Sequence, residues 1–196
     1  MDAATTPIPG NSAITSIRSL VPLAAPGSIY LFQGETTVLA AAMQELMDRF
    51  ALQEPVQVVV GGNRISFDHL FMLIGEQAGD AYAIMDRISV SRAETCYQML
   101  DVLEKMESSS SPLVITDTLD SFFEDDLTDN EVTLLLKKCL KHMQRLCQTA
   151  PLLIGATGDD SRSELLQMLE CNSDMRFYFE PAVDAATAQM KMPGMQ

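Results

Sequence analysis

The residues best placed for chemistry stand where apolar runs end. Gly34-Glu35-Thr36-Thr37 follows the β-branched and aromatic stretch 28–33 (SIYLFQ) and opens a helical pattern. Glycine, backbone N–H groups and hydroxyls at a strand-to-helix junction are the parts from which phosphate and Mg²⁺ sites are built. Asp117 closes a second apolar run, Leu113–Thr116 (LVIT), and so stands at a strand end of the same kind. Gly61-Gly62-Asn63 marks a third such junction. It has neither of the glycine spacings that make phosphate loops, so it reads as a tight turn whose Gly and Asn tolerate positive φ. Positive charge gathers elsewhere: Lys137, Lys141 and Arg145 recur every four residues beside Lys138 and His142, and residues 132–157 hold no acid. That stripe reads as an exposed helix face, with contact to an acidic protein surface or to nucleic acid as the functional alternative. His142 has no Ser or Cys nucleophile motif beside it and reads as a surface residue. Cys96, Cys139, Cys147 and Cys171 form no CxxC pair, and His69 lies far from His142 in sequence. No zinc site or disulfide framework is expected, and the thiols fit a reducing compartment.

The elements that must hold these residues alternate in type. Short buried strands are expected at 28–33, 56–60 (VQVVV), 87–90 (RISV), 113–116, 152–156 (LLIGA) and 175–179 (MRFYF). Between them, apolar residues at helical spacing predict helices over 36–50, 67–77, 92–106, 130–148 and near 161–170. Strands alternating with helices of this length make βαβ units around a mostly parallel sheet, hence an α/β fold in three layers. The Ser run at 108–111 before Pro112 reads as a loop. Residues 1–12 and 182–196 lack periodicity and are expected to be flexible tails around one domain, 13–181. Most methionines fall on or beside helical apolar faces and are read as core.

Charge narrows the function classes. Among 196 residues, 13 Lys+Arg stand against 27 Asp+Glu, a formal charge of −14, so the surface as a whole is unsuited to gripping a phosphate backbone. A hydrophobic fraction of 47% argues against wholesale disorder. The start MDAATTPIPG has neither a basic region nor an apolar core, and no apolar stretch approaches the length of a membrane span. The expectation is a cytoplasmic protein, or a nuclear one in a eukaryote.

Taken in order, the strand ends resemble the core of RecA, RadA and KaiC-like ATPases. Residues 27–35 (GSIYLFQGE) resemble the lead-in to their phosphate loop. Arg92-Ala93 is similar to the A-R-A segment of RadA-type recombinases, and 113–117 with 118–123 (TLDSFF) looks like their Walker B strand and the stretch after it. Residues 152–157 and 172–180 are similar to later core strands, so the resemblance covers about residues 13–181.

The departures decide what the resemblance implies. About five residues of the phosphate turn, with its Lys, are missing after Gly34, and an ungapped reading puts Glu35 near the place of that cation. Gly62 stands where the family has the Glu that orients the attacking water. Gly34, Glu35, Thr36, Thr37 and Asp117 are then remnant positions, with no nucleotide, metal or other cofactor and no catalytic residue expected. Asp117, Asp120, Glu124, Asp125, Asp126, Asp129 and Glu131 crowd the first position where recombinases hold DNA, and Asp159-Asp160 opens the second. The expectation is a non-catalytic RecA-family paralogue. It would bind a protein, for instance a RecA-family ATPase or recombinase, as an assembly factor in DNA recombination or repair. Direct DNA binding by the isolated chain and membrane association are not expected. A SulA-like or KaiC-like regulator, or an ATPase completed by a neighbouring chain, is the alternative.

Overall fold

A computed structural model of the chain describes residues 5–9, 24–62, 80–122, 127–157 and 163–180. Seven strands form one sheet: β1 (Thr5–Pro9), β2 (Ile29–Gly34), β3 (Val56–Val60), β4 (Ile88–Arg92), β5 (Leu113–Thr116), β6 (Leu152–Ala156) and β7 (Met175–Glu180). Their order across the sheet is β1-β7-β2-β6-β5-β3-β4, and every neighbouring pair runs parallel. Five α-helices lie among them: α1 (Thr36–Gln53), α2 (Ala81–Met85), α3 (Cys96–Lys105), α4 (Asp129–Cys147) and α5 (Ser163–Cys171). The expected α/β architecture is present, and it is consistent with a three-layer RecA-like core.

Alternation along the strands builds two cores. Ile29, Leu31, Val59, Leu113, Ile115, Leu152 and Ile154 face α3, α4 and α5. Tyr30, Phe32, Val56, Val58, Val60, Val114 and Leu153 face α1, with Ile84 of α2 at the margin. A strand buried on both faces must be apolar at consecutive positions, which is why β2, β3, β5 and β6 read as uninterrupted hydrophobic runs. Gly155 brings α1 close, because a Cβ there would sit 3.0 Å from Met43 Cγ.

The helix ends are set by local chemistry. Thr95 caps α3 by accepting from Gln98 N (3.2 Å), so the helix starts at Cys96 and Arg92 remains in β4. The sequence pattern had run the helix back to residue 92. Thr128 and Glu131 form a reciprocal capping box on α4: Glu131 Oε2 accepts from Thr128 N at 3.0 Å, and Thr128 Oγ1 accepts from Glu131 N at 3.4 Å.

The N-terminal segment differs from the expected flexible tail, since Thr5–Pro9 is a strand paired with β7. Its two prolines lack ladder donors and can be accommodated only because β1 lies at the sheet's edge, where one side of the backbone needs no partner. Five-residue α2 had no counterpart in the sequence reading. The expected helix over 67–77, Asn63, Asp159, Asp160 and the tail 182–196 lie outside the described residues. No helix among the described residues is long and apolar enough to cross a membrane.

Candidate functional site at the carboxyl edge of the sheet

In an open parallel sheet, the binding crevice forms where neighbouring strands send their connections to opposite faces. Here that place is β2 against β6. After β2 the chain enters α1 on one face, and after β6 it leads to α5 on the other. The registers put Gln33 level with Ala156, and extension of the β5 ladder by two residues puts Asp117 in the same row. The remnant positions of β2 and β5 are thus at one end of the sheet with β6 between them, about 10 Å apart by strand spacing.

The junction after β2 has no room for a phosphate cradle. β2 ends at Gly34, α1 begins at Thr36, and the single residue between them, Glu35, is the helix N-cap. Its carboxylate accepts from Thr37 N (3.1 Å) and from the Thr37 hydroxyl. Those two bonds, the hydroxyl's first, hold the Glu35 carboxyl below the usual carboxylate range. A helix N-terminus attracts anions through exposed N–H groups and its dipole. At α1 the chain's own carboxylate already supplies that negative charge, and the Thr37 hydroxyl is spent on the same group. Gly34 serves packing: an added Cβ would meet Phe179 O at 2.7 Å and Phe179 Cβ at 2.9 Å. Beside it, Gln33 is buried and donates to Glu170 Oε1 of α5 (2.8 Å), tying the strand end to that helix.

Asp117 is likewise built into the fold. It is 8% exposed, adopts φ +50, and its carbonyl accepts from Asp120 N (3.0 Å), the start of a 3₁₀ turn over Asp120–Phe122. Thr118 N donates to Gly155 O (3.1 Å), which fixes this turn on β6. Gly61 and Gly62 lie over it. A Cβ at Gly61 would fall 2.4 Å from Asp117 O, and one at Gly62 would fall 3.1 Å from Asp120 Oδ2. Neither glycine has positive φ, so the turn's glycines answer to close approach and not to the backbone freedom read from sequence. A Glu at position 62 would press its side chain toward Asp117 and Asp120, so that position does not take a Glu without rearrangement. The hydroxyl oxygens of Thr116 and Thr118 are buried here without a hydrogen-bond partner among the described residues.

The other acids of this stretch that are described do helix work. Asp129 and Glu131 stand in the first turn of α4, and bonds from Thr128, its hydroxyl first, lower the Glu131 carboxyl. Glu124, Asp125 and Asp126 lie outside the described residues. Among the described residues no group of three or more His, Cys, Asp or Glu side chains could hold a metal ion.

The cation stripe divides in two. Arg145 donates to Leu103 O (2.9 Å) and Met106 O (3.0 Å), with longer contacts to Glu104 O and Ser108 Oγ, and so closes the C-terminus of α3. It is committed to the fold, in contrast to Lys137 and Lys141, which are exposed and form no ion pair with a described acid. These two lysines border an open groove of about 340 Å³ between α4 and α5, whose lining includes Leu140, Met168, Glu164 and Cys171. Periodicity placed all three cations on one face, but the neighbouring end of α3 could not be read from it. Cys171 is the one exposed thiol of the four. Burial pushes Cys139 up to about 12 and raises Cys147, which leaves both as inert core thiols.

No protein-family model matches the chain, and no curated protein matches it.

Proposed function

We propose that this chain is a non-catalytic RecA-family paralogue that acts by binding another protein, as an assembly factor in DNA recombination or repair. The observation that carries the non-catalytic part is the β2–α1 junction: strand and helix are one residue apart, and the Glu35 carboxylate is bonded to the N–H that would face a phosphate. Asp117, the one acid left from the resemblance's metal side, is 8% exposed and held in a backbone turn. The family assignment rests on the ordered resemblance of 13–181, and a parallel sheet flanked by helices is consistent with it. Recombination or repair is favoured by the RadA-like segments Arg92-Ala93 and 113–123.

A thermal melt with and without millimolar Mg-ATP tests the dead site. A ligand present at 100 times its Kd would stabilise by about 2.7 kcal/mol, a shift of several degrees. The expected result is no shift; a clear rise overturns the reading and favours an ATPase, complete alone or with a neighbour. Purification of the tagged chain from its native host tests the assembly role. A RecA-family protein is expected with it, and recovery of the chain alone overturns that role. Binding of the isolated chain to DNA at physiological salt would contradict the reading of its acidic loops.

A further inference from the structure

We propose that the groove between α4 and α5 docks an acidic, amphipathic segment of a partner protein, its carboxylates on Lys137 and Lys141 and its apolar side on Leu140 and Met168. The inference rests on the protein-binding role above and names its surface. Four observations converge. The chain has 27 acids against 13 bases, yet Lys137, Lys138 and Lys141 form no ion pair with a described acid of their own chain. Positive charge left uncompensated on so acidic a protein complements a negative segment, whereas the formal charge of −14 sets a whole second copy against the first.

Beneath the lysines, the groove is partly apolar, with Leu140 buried and Met168 half-buried in its lining. Methionine and leucine under long cationic side chains form the surface on which an amphipathic segment gains area and orientation together. One turn before Lys137 on the same face, Leu134 is 54% exposed, one of the few large apolar side chains so placed among the described residues. An exposed leucine in line with the cations fits a protein segment; a phosphate backbone would gain nothing from it. Glu164, on the α5 side of the groove, adds a negative charge that disfavours nucleic acid further and sets which way the acidic side of the occupant faces.

Cys171 lines the same groove and is the only exposed cysteine, so its alkylation reports occupancy without a label being introduced. The probe is a helical peptide of about 20 residues, roughly 30 Å long, with Glu along one face and Leu along the other. The full chain is alkylated with and without it at about 0.15 M salt. The expected result is slowed alkylation of Cys171, with the half-protecting concentration raised about tenfold in the doubly reversed variant Lys137→Glu, Lys141→Glu. Both lysines are exposed, and an unchanged melting temperature confirms that the variant folds. No protection, equal protection by a Lys/Leu peptide, or equal protection of the reversed variant overturns the proposal. Stronger protection by single-stranded DNA overturns it in favour of nucleic acid. The dead-site reading is judged separately: a Mg-ATP shift removes that reading and leaves the groove standing, whereas failed protection removes the groove alone.

Discussion

Arg145→Met separates the structural cation of α4 from the free ones. The substitution keeps an unbranched apolar stem and deletes the guanidinium that bonds Leu103 O at 2.9 Å and Met106 O at 3.0 Å. A hydrogen bond from a charged donor contributes about 1.5–3 kcal/mol, and exposure of this side chain reduces that by about half. The longer contacts, at 3.4 and 3.5 Å, add little. Loss of the positive charge at the C-terminus of α3 adds about 0.3 kcal/mol. The total is about 2 kcal/mol, or about 4–8 °C in Tm for a chain of this size. Urea unfolding followed by circular dichroism measures it, with Lys141→Met as the comparison. That lysine forms no ion pair with a described acid, so its replacement should stay within about 0.5 kcal/mol of the parent. Arg145→Lys should recover roughly half the loss, because an ammonium keeps the charge but not the fork. A stability of Arg145→Met within about 0.5 kcal/mol of the parent, or equal to that of Lys141→Met, would refute the assignment.

Gly61→Ala should destabilise by about 3 kcal/mol in the same assay, because its Cβ would meet a backbone carbonyl at 2.4 Å that cannot turn aside. Thr128→Ala should cost about 1 kcal/mol through loss of the α4 cap. Raising the pH above 9 should weaken the fold: Cys139 keeps its proton up to about 12 when folded and releases it near 9 when unfolded. Its contribution is complete below pH 9 and is lost toward pH 12 at up to about 1.4 kcal/mol per unit, so Cys139→Ala should flatten the alkaline limb of a pH–stability curve. On the acid side the sign reverses. The lowered carboxyls of Glu35 and Glu131 stabilise above their unfolded values and lose that effect as the pH falls through the lowered ones.

What could be read from sequence follows from how far each cause lies along the chain. The central strands announce themselves because burial on both faces demands runs such as VQVVV and LLIGA. The caps at Thr95 and Thr128 use partners within three residues, yet apolar periodicity alone carries the expected start of α3 back to residue 92. β1 is illegible by the same logic, since two prolines in five residues argue against a strand and the β7 edge that accepts it is supplied from the other end of the chain. At the site, the short step from strand to helix at Glu35 is plain in the sequence, but the bonds from Thr37 to its carboxylate follow only once Thr36 begins the helix directly. Gly61 and Gly62 read as a turn, and their real constraints, the backbone of Asp117 for Gly61 and the side chains of Asp117 and Asp120 for Gly62, lie some 55 residues further on. The groove needed α5 laid against α4 before Cys171 and Lys141 became neighbours.

The pairing of β1 with β7 also bears on how the molecule is assembled. Thr5 aligns with Arg176, the greatest sequence separation bridged by any ladder in the sheet. β1 is paired on one side only, to β7, so less holds it than holds a central strand. Without it one edge of β7, where Met175 and Tyr178 are already exposed, would lack its ladder partner. The sheet's margin therefore depends on a strand from the far end of the chain, and without it β7 would present an unpaired edge.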